Sequence, residues 1–135
     1  YCLRYVACKV NIMNLPMFFT IASLLFFSYD THADHMMIFT GKKFIAKIEE
    51  HCDEGNLSCE NVSLTSKSIK ANQSINLKGK TINTNCPDIC DFQGYRFTNG
   101  EYDYSFYPSM KGNDLWDYII TFEDKVIAQD LGALK

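Results

Sequence analysis

The chain has 135 residues, of which 47% are hydrophobic and 14% are aromatic, and its 13 Lys and Arg residues are outnumbered by 16 Asp and Glu residues. This length and hydrophobic content suffice for one modest domain with a single core. The net charge of -3 argues against a nucleic-acid or anionic-membrane surface, because both require clustered lysine and arginine.

The N-terminal segment has the pattern of a secretory signal. An apolar run from Leu15 to Phe27 follows the positive charges of Arg4 and Lys9, and a small-x-small cleavage site closes the segment. The run is shorter than the roughly 20 apolar residues of a transmembrane helix. The sequence therefore predicts a signal peptide with upstream residues over 1–33. It predicts one exported domain over 34–135, periplasmic or secreted, with no stable membrane anchoring.

The first half of the exported domain shows short segments with the two-residue period of strands. Residues 44–50 fit either a strand or one face of a helix, and the alternation of their apolar residues favours the strand. Residues 62–64 and 75–77 alternate in the same way, with a polar connection over 66–74 between them. Each segment is bounded by polar residues, which is typical of antiparallel strands joined by turns.

An aromatic hairpin follows. Asn99-Gly100 joins residues 95–97 to the alternating aromatic residues of 102–106. Asn-Gly is the preferred pair for a type I′ turn, because both central residues of that turn need positive φ. One alternating set of a strand faces inward, so about half of the four aromatic residues are expected to belong to the core. These four are Tyr95, Phe97, Tyr102 and Tyr104.

A second hairpin closes the chain. Residues 116–122 alternate between large apolar and smaller or polar side chains, 123–125 turn the chain, and 126–129 return. No segment of the exported domain has the length and period of a helix. The sequence predicts an all-β fold of at least six strands, arranged as a small antiparallel β-barrel or a two-layer meander stabilised by disulfides.

The exported domain retains four cysteines as two close pairs, which an oxidising compartment converts to disulfides. A proline-containing turn between Cys86 and Cys90 favours local pairing there, together with Cys52 to Cys59, and crossed pairing stays open. The six-residue spacer between the first two cysteines exceeds the spacing usual in structural zinc sites. We therefore predict structural disulfides and no metal.

The sequence carries no recognisable catalytic motif. It has no G-x-S-x-G elbow, no H-E-x-x-H helix and no glycine-rich phosphate or dinucleotide loop. The two retained histidines, His35 and His51, lie outside recognisable catalytic settings. Carboxylate pairs such as Asp114 with Asp117 keep a small hydrolase open as an alternative, but they are expected to be surface charges of strands and loops. We predict a protein that is not an enzyme and that needs no cofactor.

Residues 92–104 resemble the core of the bacterial c-type lysozyme inhibitors, in which a short loop with a glycine and a tyrosine leads into an aromatic hairpin. The likeness extends over residues 75–130, and Gln93 stands where that family has a serine. The resemblance implies an antiparallel β-barrel that blocks a catalytic cleft by inserting loop side chains. The loop residues that the resemblance implicates here are Gln93, Gly94, Tyr95 and Arg96.

The predicted function is therefore that of an exported inhibitor or immunity-type protein. Its partner would be a protein, such as a lysozyme-like hydrolase or a toxin, and its mechanism would be steric occlusion. The negative surface suits a cationic enzyme. A structural or surface-interaction module with no inhibitory activity is the alternative hypothesis, and a small hydrolase is the third.

Overall fold

A computed structural model describes residues 34–135, and the predicted signal segment 1–33 lies outside them. The described chain forms eight antiparallel strands, each paired with the next in sequence, and the barrel closes where the last strand pairs with the first. The predicted all-β, disulfide-stabilised fold is confirmed, and its architecture is the barrel. The strands are β1 (His35–Gly41), β2 (Phe44–Glu50), β3 (Val62–Ser68), β4 (Ser74–Thr84), β5 (Asp91–Asn99), β6 (Tyr102–Pro108), β7 (Leu115–Phe122) and β8 (Lys125–Leu134).

The strand interpretation of residues 44–50 is confirmed by β2, in which Ala46 and Ile48 are buried. By contrast, β1 was not identified from the sequence. Four consecutive apolar residues in its middle hide the two-residue period, although only Phe39 among them is fully buried. A strand with such a run does not show from its sequence which face is inward.

The β5–β6 hairpin is confirmed, but its turn differs from the prediction. Asn99 pairs with Tyr102, so the two turn residues are Gly100 and Glu101. Only Gly100 has a positive φ, of 62°, and a type I′ turn needs positive φ at both central residues. A glycine at the first central position is instead the pattern of a type II′ turn.

Positive φ at both turn residues occurs in the β7–β8 hairpin. Phe122 pairs with Lys125, and the two residues between them, Glu123 and Asp124, have φ values of 45° and 63°. This is the backbone that a type I′ turn requires, adopted without asparagine or glycine. The sequence predicted the position of this turn correctly, but no residue in it indicated the turn type.

Two of the four hairpin aromatics, Tyr95 and Phe97, belong to the buried core, as expected, although strand alternation does not divide the set because all four lie on the inward face. Pairing of Tyr95 with Phe106 and of Phe97 with Tyr104 puts both strands' aromatic sets on one side. Exposure then depends on position along the barrel axis. Tyr95 and Phe97 are buried, Tyr104 is half-buried, and Tyr102 is 39% exposed at one end.

Aromatic rings fill the centre of the barrel. Phe106 and Tyr118 stack with ring centroids 4.1 Å apart, and Phe39 meets both rings edge-on at 5.5 and 5.6 Å. The Tyr118 hydroxyl donates a hydrogen bond of 2.8 Å to Ser66 Oγ, so the one polar atom of this stack has a partner. Burial raises the pKa of Tyr118, which keeps the hydroxyl protonated.

The barrel closes at a short seam. β1 and β8 share three residue pairs, Ile38 and Lys135 exchange two backbone hydrogen bonds at one end of them, and the side chain of Asp130 continues the closure at the other end. Its Oδ2 accepts hydrogen bonds from the backbone N–H groups of Lys43 at 2.7 Å and Phe44 at 3.0 Å. Its Oδ1 accepts from Lys42 at 3.2 Å and Leu131 at 3.0 Å. One buried carboxylate thus satisfies backbone donors on both sides of the seam.

The two ends of the barrel differ. At one end, called the turn end, short hairpin turns join each odd-numbered strand to the next. At the other, called the loop end, the longer connections 51–61, 85–90 and 109–114 lie together. Local pairing of the cysteines is confirmed, because Cys52–Cys59 and Cys86–Cys90 form one disulfide within each of the first two connections. Both covalent restraints therefore act at the loop end.

Removing the first disulfide should cost more stability than removing the second. The Cys52–Cys59 bridge closes the longer loop, and the chain-entropy relation gives about 2.5 kcal/mol for it against about 2 kcal/mol for Cys86–Cys90. Cys59 is also buried, whereas Cys86 is exposed. Urea unfolding of the paired Cys→Ser variants measures both losses. A larger loss for the Cys86–Cys90 variant would contradict this order.

Candidate functional site

The four predicted contact residues lie on β5 and not in a loop. Gly94 pairs with Ile82 and Phe92 pairs with Asn83, which leaves Gln93 as the extra residue of a β-bulge. Gly94 has a φ of 148°, a backbone conformation that side chains with a Cβ rarely adopt. Bulges bend a strand and redirect side chains, and they are frequent next to functional sites.

Two of these four residues are buried. Tyr95 is 3% exposed, with its ring 5.1 Å from Phe92 and 6.1 Å from Trp116. Its hydroxyl donates to Glu50 Oε1, and burial followed by the hydrogen bond to this carboxylate raises the pKa of Tyr95. Gly94 is buried as well. Tyr95 and Gly94 therefore shape the loop end from within, and their side-chain positions offer no surface to a partner.

The other two residues face outward. Gln93 is exposed and donates a hydrogen bond of 3.3 Å to Thr84 Oγ1. Arg96 has a side chain that is 51% exposed and paired with Asp103, and its Nε lies 3.3 Å from Asp103 Oδ1. This ion pair raises the pKa of Arg96. Of the predicted set, Gln93 and Arg96 are the residues that a partner can contact.

Arg96 lines a groove of about 550 Å³ between the two disulfide-bonded connections. Glu60 and Lys80 line the same groove and pair with each other at 3.6 Å. Arg96 is already paired with a carboxylate, so the positive charges of the groove are largely balanced. The groove is therefore not an anion site built on unpaired cations.

Asn83 holds the two disulfide-bonded connections together. Its Nδ2 donates to the carbonyl oxygens of Leu57 at 2.8 Å and Cys90 at 3.1 Å. Its Oδ1 accepts from Thr81 Oγ1 at 2.6 Å, and the same hydroxyl oxygen accepts the Cys59 N–H at 2.9 Å. One asparagine thus fixes both loops to β4, in addition to their disulfides.

Three exposed apolar residues lie on the backbone segments that this asparagine joins. We call Leu57, Ile89 and Phe92 the apolar patch, and they are 62%, 62% and 42% exposed. Leu57 and Ile89 lie on the two loops that Asn83 joins, and Phe92 is the strand partner of Asn83. Grouped exposed apolar residues on a small domain mark an interaction surface more often than isolated ones do.

The chain around the apolar patch is acidic. The connection 51–61 and residues 85–91 contain five carboxylates and neither lysine nor arginine. This composition gives the two disulfide-bonded connections an acidic rim, in which Glu60 is paired with Lys80. The five are Asp53, Glu54, Glu60, Asp88 and Asp91.

Within residues 34–135, no three His, Cys, Asp or Glu side chains lie close enough together to hold a metal ion. The same residues contain no helix that is long and apolar enough to cross a membrane. Comparison of the chain with protein-family models, with curated proteins and with solved structures gave no match. The resemblance to lysozyme inhibitors therefore stays a prediction from the sequence, and function has to be argued from the site.

Proposed function

We propose that the chain is an exported binding protein of the inhibitor or immunity type, which occludes a hydrolase or other effector with its loop end. The observation that carries this proposal is the apolar patch, which is held by two disulfides and by the hydrogen bonds of Asn83. A surface fixed before binding loses little conformational entropy when the partner docks. Such preorganisation suits steric occlusion.

The acidic rim indicates the charge of the partner. The two disulfide-bonded connections carry five carboxylates and neither lysine nor arginine in their own sequence, which favours association with a cationic protein surface. A lysozyme-like hydrolase or a cationic toxin has this property. The apolar residues would supply most of the affinity, and the rim would raise the association rate.

Gln93 and Arg96 extend this surface along β5. Gln93 occupies the bulge next to Phe92, and Arg96 lines the groove between the same two loops. Substitution of these two exposed residues reports on binding, whereas substitution of Tyr95 would also disturb the core. The contact set is therefore the apolar patch together with Gln93 and Arg96.

Acidic substitutions in the apolar patch should abolish capture of the partner. We expect the Leu57→Asp/Ile89→Asp variant to lose roughly 100-fold or more in affinity, since buried apolar anchors dominate interface energies. Val126→Asp/Ile127→Asp is the matched control, because these residues are 61% and 56% exposed near the turn end. The measurement is a pull-down of the full chain, with disulfides formed, against a lysozyme panel and periplasmic extract.

The outcomes of this pull-down distinguish the inhibitor hypothesis from its alternatives. Capture of a hydrolase or toxin that only the loop-end variant loses supports the proposal. Equal loss in the turn-end variant places the contact elsewhere. Recovery of the chain alone, with self-association on gel filtration, favours a structural interaction module without inhibitory activity.

A further inference from the structure

His51 lies between a carboxylate and a hydroxyl on the outside of the barrel. Its Nδ1 is 3.0 Å from Asp34 Oδ1, and its Nε2 is 2.8 Å from Ser63 Oγ. An ionised carboxylate only accepts hydrogen bonds, so Nδ1 carries the ring proton, and Nε2 of the neutral ring accepts the Ser63 O–H. This is the order of groups in a serine nucleophile site, with a hydroxyl, a base and a carboxylate that orients the base.

The fold brings these three residues together from separate positions in the chain. Asp34 precedes β1, His51 follows β2, and Ser63 is the second residue of β3, so all three lie at the loop end of three neighbouring strands. The backbone N–H of His51 donates to the Asn61 carbonyl at 2.9 Å, which fixes the position of the histidine. Its side chain is 28% exposed and Ser63 is half-buried, so solvent reaches the site.

We propose that Ser63 is a nucleophile toward acyl esters, with His51 as the general base and Asp34 as the residue that positions the ring. In the first step Ser63 Oγ forms a bond to the acyl carbon while its proton moves to His51 Nε2. The bond from the acyl carbon to the alcohol oxygen then breaks, and the alcohol leaves with the proton from His51.

Water completes the cycle. Its oxygen attacks the acyl carbon of the Ser63 ester while His51 Nε2 takes a proton from it. The bond from the acyl carbon to Ser63 Oγ breaks, Oγ regains a proton from His51, and the carboxylic acid is released. The net reaction is an ester and water giving an acid and an alcohol, with no further reactant.

Lys78 supplies positive charge for the oxyanion of this reaction. Both edges of β3 are paired, so its backbone N–H groups are committed to neighbouring strands. Lys78 is the strand partner of Ser63, and it lines a surface groove of about 380 Å³. An exposed site of this kind suits a small ester, or an acyl group that protrudes from a larger molecule.

Labelling with a fluorophosphonate tests this assignment. The full chain, with both disulfides formed, is expected to gain one phosphonyl adduct on Ser63, located by mass spectrometry. The rate should fall roughly 100-fold in His51→Gln, since the serine then lacks its base. Ser68→Ala, which removes another half-buried serine of β3, should label on Ser63 at the unchanged rate.

A double-mutant cycle separates positioning by Asp34 from a merely structural role. Asp34→Asn should slow labelling in the presence of His51 and have no effect in the His51→Gln background. Lys78→Gln should slow the release of p-nitrophenol from p-nitrophenyl acetate by roughly tenfold. Labelling of Ser63 at an equal rate with and without His51, or no adduct on Ser63, would overturn the proposal. It does not rest on the proposed binding function.

Discussion

Replacement of Gly94 by alanine should destabilise the barrel by about 4 kcal/mol or more, which is at the upper end of single-residue effects. A Cβ at this position would overlap the backbone carbonyl oxygen of Phe106 on the neighbouring strand. Because that atom belongs to the β5–β6 ladder, it cannot move without breaking strand pairing. The φ of 148° adds a backbone penalty for any residue with a Cβ.

Gly55→Ala is the matched control. Gly55 also has positive φ, of 90°, but a Cβ there would meet nothing within 4 Å. Its cost should be limited to the conformational penalty of about 1–2 kcal/mol. Urea unfolding followed by far-UV circular dichroism measures both variants, and equal losses would contradict the overlap argument. Loss of binding by a Gly94 variant would therefore reflect loss of folded protein and would not show that Gly94 contacts a partner.

Much of the fold was readable from local sequence patterns. The aromatic alternation of residues 95–106 and 116–129 predicted two hairpins at their observed positions, because one face of each strand packs in the barrel. β1 was missed because its consecutive apolar residues conceal the period. The choice between barrel and meander depends on pairing of β1 with β8, a contact between the two ends of the domain with no local signal.

The candidate site was predicted only in part. The resemblance directed attention to Gln93 and Arg96, which the structure places outward, but no local pattern shows that the bulge buries Gly94. Leu57 and Ile89 lie in separate loops, whose backbones are joined by the hydrogen bonds of Asn83. Asn83 is one asparagine among several in the sequence. Its role as the link between two loops follows from tertiary structure alone.

The serine site was missed for the same physical reason. Asp34, His51 and Ser63 each lie at the end of a different strand, and no sequence motif contains all three. The sequence contained two cues. His51 precedes a disulfide-bonded cysteine, which restrains its backbone, and Ser63 lies near the start of the following strand. Neither cue carries the distances that define the constellation.

The Asp130→Asn variant should lose about 3 kcal/mol of stability, because hydrogen bonds to a charged acceptor contribute about 1.5 kcal/mol or more each. The carboxylate accepts four backbone hydrogen bonds, two on each oxygen. An asparagine has one acceptor oxygen, so either orientation of its amide turns an N–H group toward two backbone donors. Two seam N–H groups thus lose their partner without any change in side-chain size.

Asp117→Asn isolates the seam from the general effect of removing a charge. Asp117 lies on the neighbouring strand β7, and its Oδ1 accepts only a long, exposed bond of 3.4 Å from Gln129 Nε2. That variant should change stability by less than about 0.5 kcal/mol. Equal urea midpoints for the two variants would contradict the role of Asp130.

Hydrogen exchange locates the effect of the Asp130 substitution. The amides of Lys42, Lys43 and Phe44 should lose protection in Asp130→Asn, while those at the centre of β3 and β6 keep it. β1 and β8 are held by three residue pairs, the backbone hydrogen bonds of one further pair and one carboxylate, so the seam is the place where this barrel would open. An opened seam exposes strand edges, and a domain with exposed edges aggregates more readily. One buried aspartate therefore completes a closure that backbone pairing alone leaves short.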